Sequence, residues 1–447
     1  VFAPEGLYRE PNRPPIRFSV KSGWNNDPNG LICLNGVYHL FYQYNPCSTR
    51  WGNIHWGHAV STDLIHWEEG DIALYPDEWG PNYSGCAVLD ERNVSGLGFS
   101  GRPPLLLFYT AGGGSNEMSR GVSPTQRIAY SLDGGKTFLS YPQTAVDTIT
   151  GENRDPKVVW CEDLSRYLMA LYLEGEEYAL LTSDDLLHWE QFQRISIRGD
   201  WECPNPARLR VRGTDRFLWI LFGARSYWLA GEFRDGRWVT LQEESIPFEK
   251  TRTYAGQLFS GTGERAVEMD WFCPSVPLDP RFSQMISLPR ELTLEQEGDR
   301  YWLCRNPVAE LSAIRRNERT VCLAGTECRV PAAEAGLDLE LTFPKLPRGK
   351  IAVRAFGQSV TFDPEANTVS GGKGISPMTS GREPYSVRIL MDPSGTEVFP
   401  DGGRFVFAGS EQPDPGEREL SLRAENPMDG ATLKLADLLS VRNTKNL

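Results

Sequence analysis

The sequence lacks several features that define large classes of proteins. It has no run of about 18 apolar residues, so no membrane-spanning helix is predicted. Its five histidines and nine cysteines show no spacing typical of a metal site, and we predict neither a metal nor a cofactor. The net charge of -13 argues against nucleic acids and anionic membranes as partners, because both would be repelled. A neutral ligand rich in hydroxyl groups meets no such objection.

The chain begins at Val1 without a charged and then apolar leader, so we expect that a signal peptide was removed or never existed. The number of cysteines is odd, and Cys33 and Cys86 lie in apolar runs, which favours reduced thiols and a cytoplasmic location. A secreted form whose signal peptide has been removed is the alternative. Pairing of Cys322 with Cys328 stays open, as does the oligomeric state.

Short alternating or apolar runs, bounded by glycine, proline, asparagine and aspartate, dominate the chain, which is typical of an all-β protein. Two of them, at 31–34 and 37–42, flank the Asn35-Gly36 pair, which predicts a hairpin.

An internal repeat indicates the architecture of the first part. The heptapeptide STDLIHW at 61–67 recurs as SDDLLHW at 183–189 and, more loosely, as SLDGGKTF at 131–138. The spacing predicts one recurring four-stranded sheet and therefore a β-propeller. In this motif the aspartate caps a tight turn, so His66 and His188 are interpreted as turn residues. From about residue 306 the pattern changes to longer alternating strands, which predicts a β-sandwich.

Three acidic residues lie in short motifs far apart in the chain: Asp27 in WNNDPNG, Asp155 in RDP and Glu202 in WECP. Breaking an acetal between sugars needs an acid that protonates the leaving oxygen and a carboxylate that meets the developing oxocarbenium carbon. Each motif alone says little, since DPNG is an ordinary turn sequence and the other two are usually surface residues. Their combination and order indicate one active site.

Further blocks accompany these acids in a fixed order along the chain: GWNNDPNG (23–30), HLFYQYNP (39–46), WGHAVS (56–61), YSGCAV (83–88), RDPKV (154–158), WECP (201–204), LPREL (288–292), VRILMD (387–392) and EVF (397–399). Together they resemble glycoside hydrolase family 32, the β-fructofuranosidases. The resemblance implies a five-bladed β-propeller, assigned to residues 1–295, followed by a C-terminal β-sandwich, assigned to residues 306–447. Acidic residues on separate blades would then face one another across the central channel.

The resemblance also implies roles for the acids. Asp27 matches the nucleophile, Glu202 the general acid/base, and Asp155 the residue that binds sugar hydroxyls and stabilises the transition state. If Asp27 and Glu202 act this way, the reaction retains configuration and their carboxyl groups lie about 5–5.5 Å apart. Seven further residues match positions that line the fructose pocket of relatives: Asn26, Gln43, Trp51, Tyr83, Ser84, Arg154 and Trp271. Of these, Trp51 and Trp271 could equally fill blade interfaces.

Three departures from the family pattern stand near these motifs: Asn25 where methionine is usual, Cys86 where serine is frequent, and Asn205 where aspartate is common. The last could alter the hydrogen bonding of the acid/base. It places substrate preference, and the balance between water and sugar acceptors, in question.

The sequence therefore predicts a retaining glycoside hydrolase that releases fructose from levan, inulin, sucrose or short fructo-oligosaccharides. One alternative keeps the site but transfers fructose to a sugar acceptor. A second is a non-catalytic fructan-binding propeller, and a third is an inverting, arabinanase-type propeller. Linkage preference and endo or exo action stay open.

Overall fold

A computed structural model describes residues 7–244, 251–332, 335–414 and 416–441. The outermost residues of the two predicted domains, 1–6 and 442–447, lie outside the described residues. Within the described ranges there are 34 strands and two short 3-10 helices, Ala309–Ile314 and Asp401–Gly403, which confirms the all-β prediction. None of the helices in these ranges is long and apolar enough to cross a membrane.

Five regions of strands succeed one another over residues 23–307. In chain order they contain β1 (Gly23–Leu34), β2 (Val37–Asn45), β3 (His55–Ser61) and β4 (Glu68–Glu69); β5 (Asn82–Leu89), β6 (Leu105–Ala111), β7 (Thr125–Ser131) and β8 (Leu139–Ser140); β9 (Arg154–Cys161), β10 (Arg166–Glu174), β11 (Glu177–Ser183) and β12 (Glu190–Ser196); β13 (Asn205–Arg210), β14 (Phe217–Phe222), β15 (Trp228–Arg234) and β16 (Arg237–Glu244); and β17 (Thr253–Leu258), β18 (Ala266–Phe272), β19 (Phe282–Ser283), β20 (Met285–Ile286), β21 (Arg290–Glu297) and β22 (Arg300–Pro307). Each region forms one sheet, except that β19 pairs in parallel with β1 and so belongs to the first sheet.

Apolar clusters fill the spaces between successive sheets. One cluster joins each sheet to the next along the chain. Another, which includes Leu40 of the first sheet and Met269 of the fifth, joins the last sheet back to the first. This packing is consistent with the propeller prediction, and it brings the first strands of the sheets towards one another.

The repeated motif forms the turns that the sequence predicts. Asp63 accepts hydrogen bonds from the backbone N–H groups of Ile65 and His66 at 2.9 and 2.8 Å. Asp185 accepts from Leu187 and His188 at the same two distances. Each aspartate also contacts Nδ1 of its histidine. The interpretation of His66 and His188 as turn residues is therefore confirmed.

Strand β1 shows where local sequence and tertiary structure disagree. The hairpin at Asn35 and Gly36 forms as predicted, with φ of 50° and 81°. The DPNG sequence, however, lies inside the strand instead of forming a free turn. The pairing of β1 with β2 is irregular there, with register shifts between residues 25 and 28 and between residues 29 and 32. Gly30 has a φ of 53°, a conformation that favours glycine.

The remaining strands form two six-stranded sheets. One has the order β23-β34-β25-β30-β31-β32 and the other β24-β33-β26-β27-β28-β29. Their bounds are β23 (Arg315–Cys322), β24 (Glu327–Pro331), β25 (Leu337–Phe343), β26 (Ile351–Ala355), β27 (Gln358–Asp363), β28 (Thr368–Gly371), β29 (Gly374–Pro377), β30 (Tyr385–Asp392), β31 (Gly395–Pro400), β32 (Phe407–Gly409), β33 (Glu419–Ala424) and β34 (Thr432–Leu438). One apolar cluster, with Leu339 from one sheet and Val353 from the other, forms their common core. The arrangement is consistent with the predicted sandwich.

All nine cysteines lie in the described ranges, and all nine are free thiols. Cys322 and Cys328, whose pairing the sequence left open, do not form a bridge. Cys322 is exposed and Cys328 is half-buried.

Candidate active site

The three predicted catalytic acids stand at the starts of the first strands of three sheets. Asp27 lies in the first half of β1, Asp155 is the second residue of β9, and Glu202 lies just before β13. Cys203 connects them, because its Sγ lies 3.8 Å from Oδ2 of Asp27 and 3.5 Å from Oδ2 of Asp155. Residues that are far apart in the sequence therefore meet in one site.

Side-chain donors surround the carboxylate of Asp27. Ser84 Oγ donates to Oδ2 at 2.6 Å, and Asn26 Nδ2 donates to Oδ1 at 3.0 Å. Gln43 contacts both Ser84 and Asn26 and lies 3.4 Å from Oδ2. Burial, and to a smaller extent the negative charge of Glu202, raises the pKa of Asp27 to about 6, against the opposing effect of the Ser84 and Asn26 hydrogen bonds. The carboxyl group is thus ionised at neutral pH.

Asp155 is the most deeply buried of the three acids, with a relative exposure of 3%. Its Oδ2 accepts the backbone N–H of Cys203 at 3.2 Å, and its own N–H donates to Thr110 Oγ1 at 2.9 Å. Burial raises the pKa of Asp155, the charge of Glu202 adds to this rise, and Arg154 opposes it. Hydrogen bonds therefore join Asp155 to Thr110 of the second sheet and to Cys203, just before the fourth.

Glu202 has a different environment, because charged and phenolic donors hold it. Arg154 donates to Oε1 from Nε and Nη2, at 3.1 and 2.8 Å. The hydroxyl group of Tyr254 donates a short hydrogen bond to Oε2. Burial, and to a smaller extent the negative charge of Glu202, raises the pKa of Tyr254. The Glu202 side chain keeps 25% of its surface exposed, so this acid is accessible from solvent.

The backbone at the acids is unusual. Asp155, Glu202 and Cys203 have φ values of 63°, 59° and 41°, in the left-handed region that non-glycine residues rarely occupy. Each such residue costs on the order of 1–3 kcal/mol and persists only where the surrounding structure holds it.

Aromatic side chains stand around the acids. Trp51 is 56% exposed and lies 6.1 Å from Tyr83, measured between ring centroids. On another side, Trp271 lies 6.0 Å from Trp24 and 6.2 Å from Tyr254. Because more than half of its surface is exposed, Trp51 does not fill a blade interface. Trp271 reaches the acids through Tyr254.

The three departures from the family pattern have distinct environments. Asn25 is fully buried, and neither its amide nitrogen nor its oxygen has a hydrogen-bond partner among the described residues. Cys86 accepts the backbone N–H of Val158 at 3.2 Å through its sulfur. Asn205 bonds to backbone groups, including the carbonyl of Cys203 at 2.9 Å, and makes no bond to the carboxylate of Glu202. Its bond to Cys203 reaches the residue next to Glu202 through a backbone carbonyl.

A cavity of about 1870 Å³ opens away from the acids. The end of β1 and the middle parts of β9 and β13 line it, whereas the acids stand at or before the starts of the same strands. Lys157 reaches its wall, and burial lowers the pKa of this amine to about 8. No predicted site residue lines this cavity, so it is distinct from the carboxylate site.

Two residues of the site escaped the sequence predictions. Tyr254 stands in no recognised block, and only its contact with Glu202 reveals it. Cys203 belongs to the WECP block, which gave a signal, but its position between Asp27 and Asp155 follows from the packing of separate sheets. In the described part of the chain, no group of three or more histidine, cysteine, aspartate or glutamate side chains is arranged to hold a metal ion.

Comparison with known proteins identifies the family of this chain. The family model described as the glycosyl hydrolases family 32 N-terminal domain matches residues 17–307. The levanase of Bacillus subtilis (strain 168) is 32% identical over a gapped alignment of 487 positions that covers 95% of this chain and 70% of the levanase. The extracellular exo-inulinase of Aspergillus awamori is 31% identical over 366 aligned positions that cover 70% of this chain and 68% of the relative.

Solved structures show the same fold. The crystal structure of the exo-inulinase from Aspergillus awamori superposes with a TM-score of 0.85 at 24% identity, covering 97% of this chain and 99% of that one. The fructofuranosidase from Schwanniomyces occidentalis complexed with fructose gives a TM-score of 0.83 at 23% identity, with 98% and 100% coverage. The resemblance found in the sequence is confirmed, and the chain belongs to glycosyl hydrolase family 32 and is a glycoside hydrolase.

Proposed function

We propose that this enzyme is a retaining β-fructofuranosidase. Asp27 attacks the anomeric carbon of a fructofuranose and forms a covalent fructosyl-enzyme. Glu202 protonates the departing oxygen and then activates the water that releases fructose. Asp155, with Arg154 beside it, binds sugar hydroxyls and stabilises the transition state. The observation that carries the proposal is the meeting of these three carboxyl groups around Cys203, at the starts of three sheets.

The environments of the two reacting acids support this division of roles. Asp27 is buried, oriented by Ser84 and Asn26, and ionised at neutral pH because its pKa is about 6. Glu202 retains exposed surface, as a group must that meets a leaving group and then water. A separation of about 5–5.5 Å between their carboxyl groups is the value expected for retention. A crystal structure with bound fructose would measure it.

The proposed substrates are levan, inulin, sucrose and short fructo-oligosaccharides, from which fructose is removed at the chain end. Relatives named levanase, invertase and exo-inulinase support this range. Incubation with each substrate, followed by product analysis, tests it. Free fructose should dominate from the first time points. Larger or cyclised fructosides would indicate transfer to a sugar acceptor, and a first product of inverted configuration would contradict the retaining mechanism.

The catalytic roles are tested with Asp27→Ala and Glu202→Ala, beside Asp184→Ala as a control on an exposed acid. Hydrolysis of sucrose should fall at least about 1,000-fold in the two site variants, in line with the loss of an essential nucleophile or acid/base, and stay unchanged in the control. Equal activity in all proteins would contradict the mechanism. With a nitrophenyl fructoside, Glu202→Ala should accumulate one fructosyl adduct on Asp27, detectable by mass spectrometry of the peptides.

The proposal includes the arrangement that brings the acids together. Five successive sheets with apolar cores between neighbours, the fifth returning to the first, support a five-bladed propeller. Because β22 pairs with β21 in the fifth sheet, the proposed propeller extends to Pro307 instead of ending at 295. The two six-stranded sheets support a sandwich as the second domain.

The proposed location of the enzyme is the cytoplasm, supported by nine free thiols. The relative named extracellular exo-inulinase makes secretion the competing outcome. Activity measured separately in washed cells and in the medium decides between the two.

A further inference from the structure

The turn that carries Glu202 needs support from outside itself. Glu202 and Cys203 are consecutive residues with positive φ, 59° and 41°, and neither is glycine. Such a pair relaxes to ordinary backbone unless other groups hold it. Relaxation would move the Glu202 carboxyl group away from Arg154 and Tyr254. The residues that hold the turn therefore control the position of the reacting group.

Asp200 holds the turn on its N-terminal side. This aspartate is fully buried. Its Oδ1 accepts the backbone N–H groups of Trp201 and Arg225, both at 2.8 Å, and its Oδ2 accepts that of Tyr227 at 2.9 Å. The backbone N–H of Ala224 also donates to the carbonyls of Trp201 and Glu202, at 3.2 and 3.1 Å. One carboxylate thus connects the turn to the loop of residues 223–227.

Asn205 holds the turn on its C-terminal side. Its side chain is also fully buried. Nδ2 donates to the carbonyls of Cys203 and Gly256, at 2.9 and 2.8 Å, and Oδ1 accepts the N–H of Leu258 at 3.1 Å. Gly256 and Leu258 belong to β17, the strand that also carries Tyr254. Asn205 therefore fixes the distance between the turn and the strand that supplies the phenol donor to Glu202.

We propose that Asp200 and Asn205 are positioning residues for Glu202. This inference rests on the proposed function, because it assumes that Glu202 is the acid/base. Neither side chain is bonded to the carboxylates of the site; both act through backbone groups. Asp200 accepts three donors and Asn205 satisfies two acceptors and one donor, so together they hold the strained turn against two neighbouring elements.

The test compares Asp200→Asn with Asp90→Asn. Asp90 is a matched control because it is also fully buried and accepts two backbone N–H groups and one hydroxyl, from Val94 and Ser95, in a turn of the second sheet. Both variants lose acceptor capacity and should lose thermal stability. Only Asp200→Asn should impair the delivery of a proton to the leaving group.

Two substrates separate that effect from a general loss of folding. Sucrose releases an alkoxide that needs a proton, whereas a nitrophenyl fructoside has a leaving group that departs without one. We expect kcat/KM of Asp200→Asn to fall about 10- to 100-fold on sucrose, the range produced by a misplacement of about 1 Å, and less than about threefold on the nitrophenyl fructoside. Glu202→Gln should show the same substrate-selective loss, and Asp90→Asn should show none.

Asn205→Ala provides a second route if Asp200→Asn does not fold. It removes all three side-chain hydrogen bonds and should give the same selective loss on sucrose. The inference is overturned if the folded Asp200 or Asn205 variants match Asp90→Asn, or if they lose activity equally on both substrates. A parent enzyme that releases fructose from neither substrate would instead overturn the proposed function itself.

Discussion

At the scale of single residues, three carboxyl groups of similar chemistry have three different environments. Side-chain donors surround Asp27, a backbone N–H meets Asp155, and an arginine and a tyrosine meet Glu202. The donors to Asp27 stabilise its ionised form against the opposing effect of burial. The neighbours of Asp27 therefore influence its ionisation.

The Ser84→Ala variant tests this control at Asp27. Below a pH of about 6 the carboxyl group of Asp27 is protonated and cannot attack. Removing the donor at 2.6 Å destabilises the ionised form, so the pKa of Asp27 should rise further. The acidic limb of the pH profile of kcat/KM should move to higher pH by about one unit, which corresponds to the loss of one hydrogen bond to a charged group.

Ser61→Ala serves as the control for this prediction, because Ser61 is a buried serine that bonds to the turn aspartate Asp63. Its acidic limb should coincide with that of the parent. A Ser84→Ala profile that stays in place or moves to lower pH would show that Ser84 does not govern the ionisation of Asp27.

At the scale of structural elements, the repeated turn shows how local chemistry determines local structure. Asp185 accepts the backbone N–H groups of Leu187 and His188. The hydrogen bond to the His188 side chain and these two backbone bonds lower the pKa of Asp185 to about 2, against the opposing effect of burial. The same bonds form at Asp63. The motif was therefore recognisable in the sequence because all its partners lie within a few residues.

Asp185→Ala should lower the free energy of unfolding by about 1–2 kcal/mol, because two backbone donors lose their acceptor. The neighbouring Asp184→Ala is the control, since Asp184 is largely exposed and pairs with Arg166 at the surface, a contact of at most about 1 kcal/mol. Urea unfolding monitored by tryptophan fluorescence measures both. Equal losses in the two variants would contradict the capping role of Asp185.

At the scale of the whole molecule, a buried ionic cluster joins the two sets of sheets. Arg17 lies 2.6 Å from Asp392 and 2.8 Å from Glu397, and all three side chains are at most 1% exposed. Glu397 Oε1 also accepts the backbone N–H of Leu288 at 3.1 Å. The cluster connects the chain before the first sheet to strands β30 and β31.

Arg17→Met should therefore lower the free energy of unfolding by about 3–5 kcal/mol, because it removes the cation that is bonded to two buried carboxylates. Arg329→Met is the comparison, since Arg329 pairs with Glu327 and Glu419 at the exposed surface, and it should change stability little. The midpoints of urea unfolding measure both. A similar shift in the two variants would show that the cluster does not hold the two parts together.

Much of the candidate site could be predicted from short blocks of sequence, but its connections could not. Asp27, Asp155 and Glu202 stand in recognisable motifs, and Ser84 and Asn26 were placed in the pocket by resemblance. Tyr254 was missed because its partner lies 52 residues away in the chain and no local pattern marks it. The same limit applies to β1, where the turn-like DPNG is held inside a strand by its pairing with β2.

The sequence by itself determined the all-β character, the hairpin and repeat turns, and membership of the family, because periodicity, turn chemistry and motif blocks are local properties of the chain. Only the tertiary structure decided which donors meet each carboxylate, that Cys203 lies between Asp27 and Asp155, and that Asp200 and Asn205 hold the turn of Glu202 from both sides. These contacts join residues of different strands and loops. Their distances depend on how complete sheets pack, which is a property of the folded molecule.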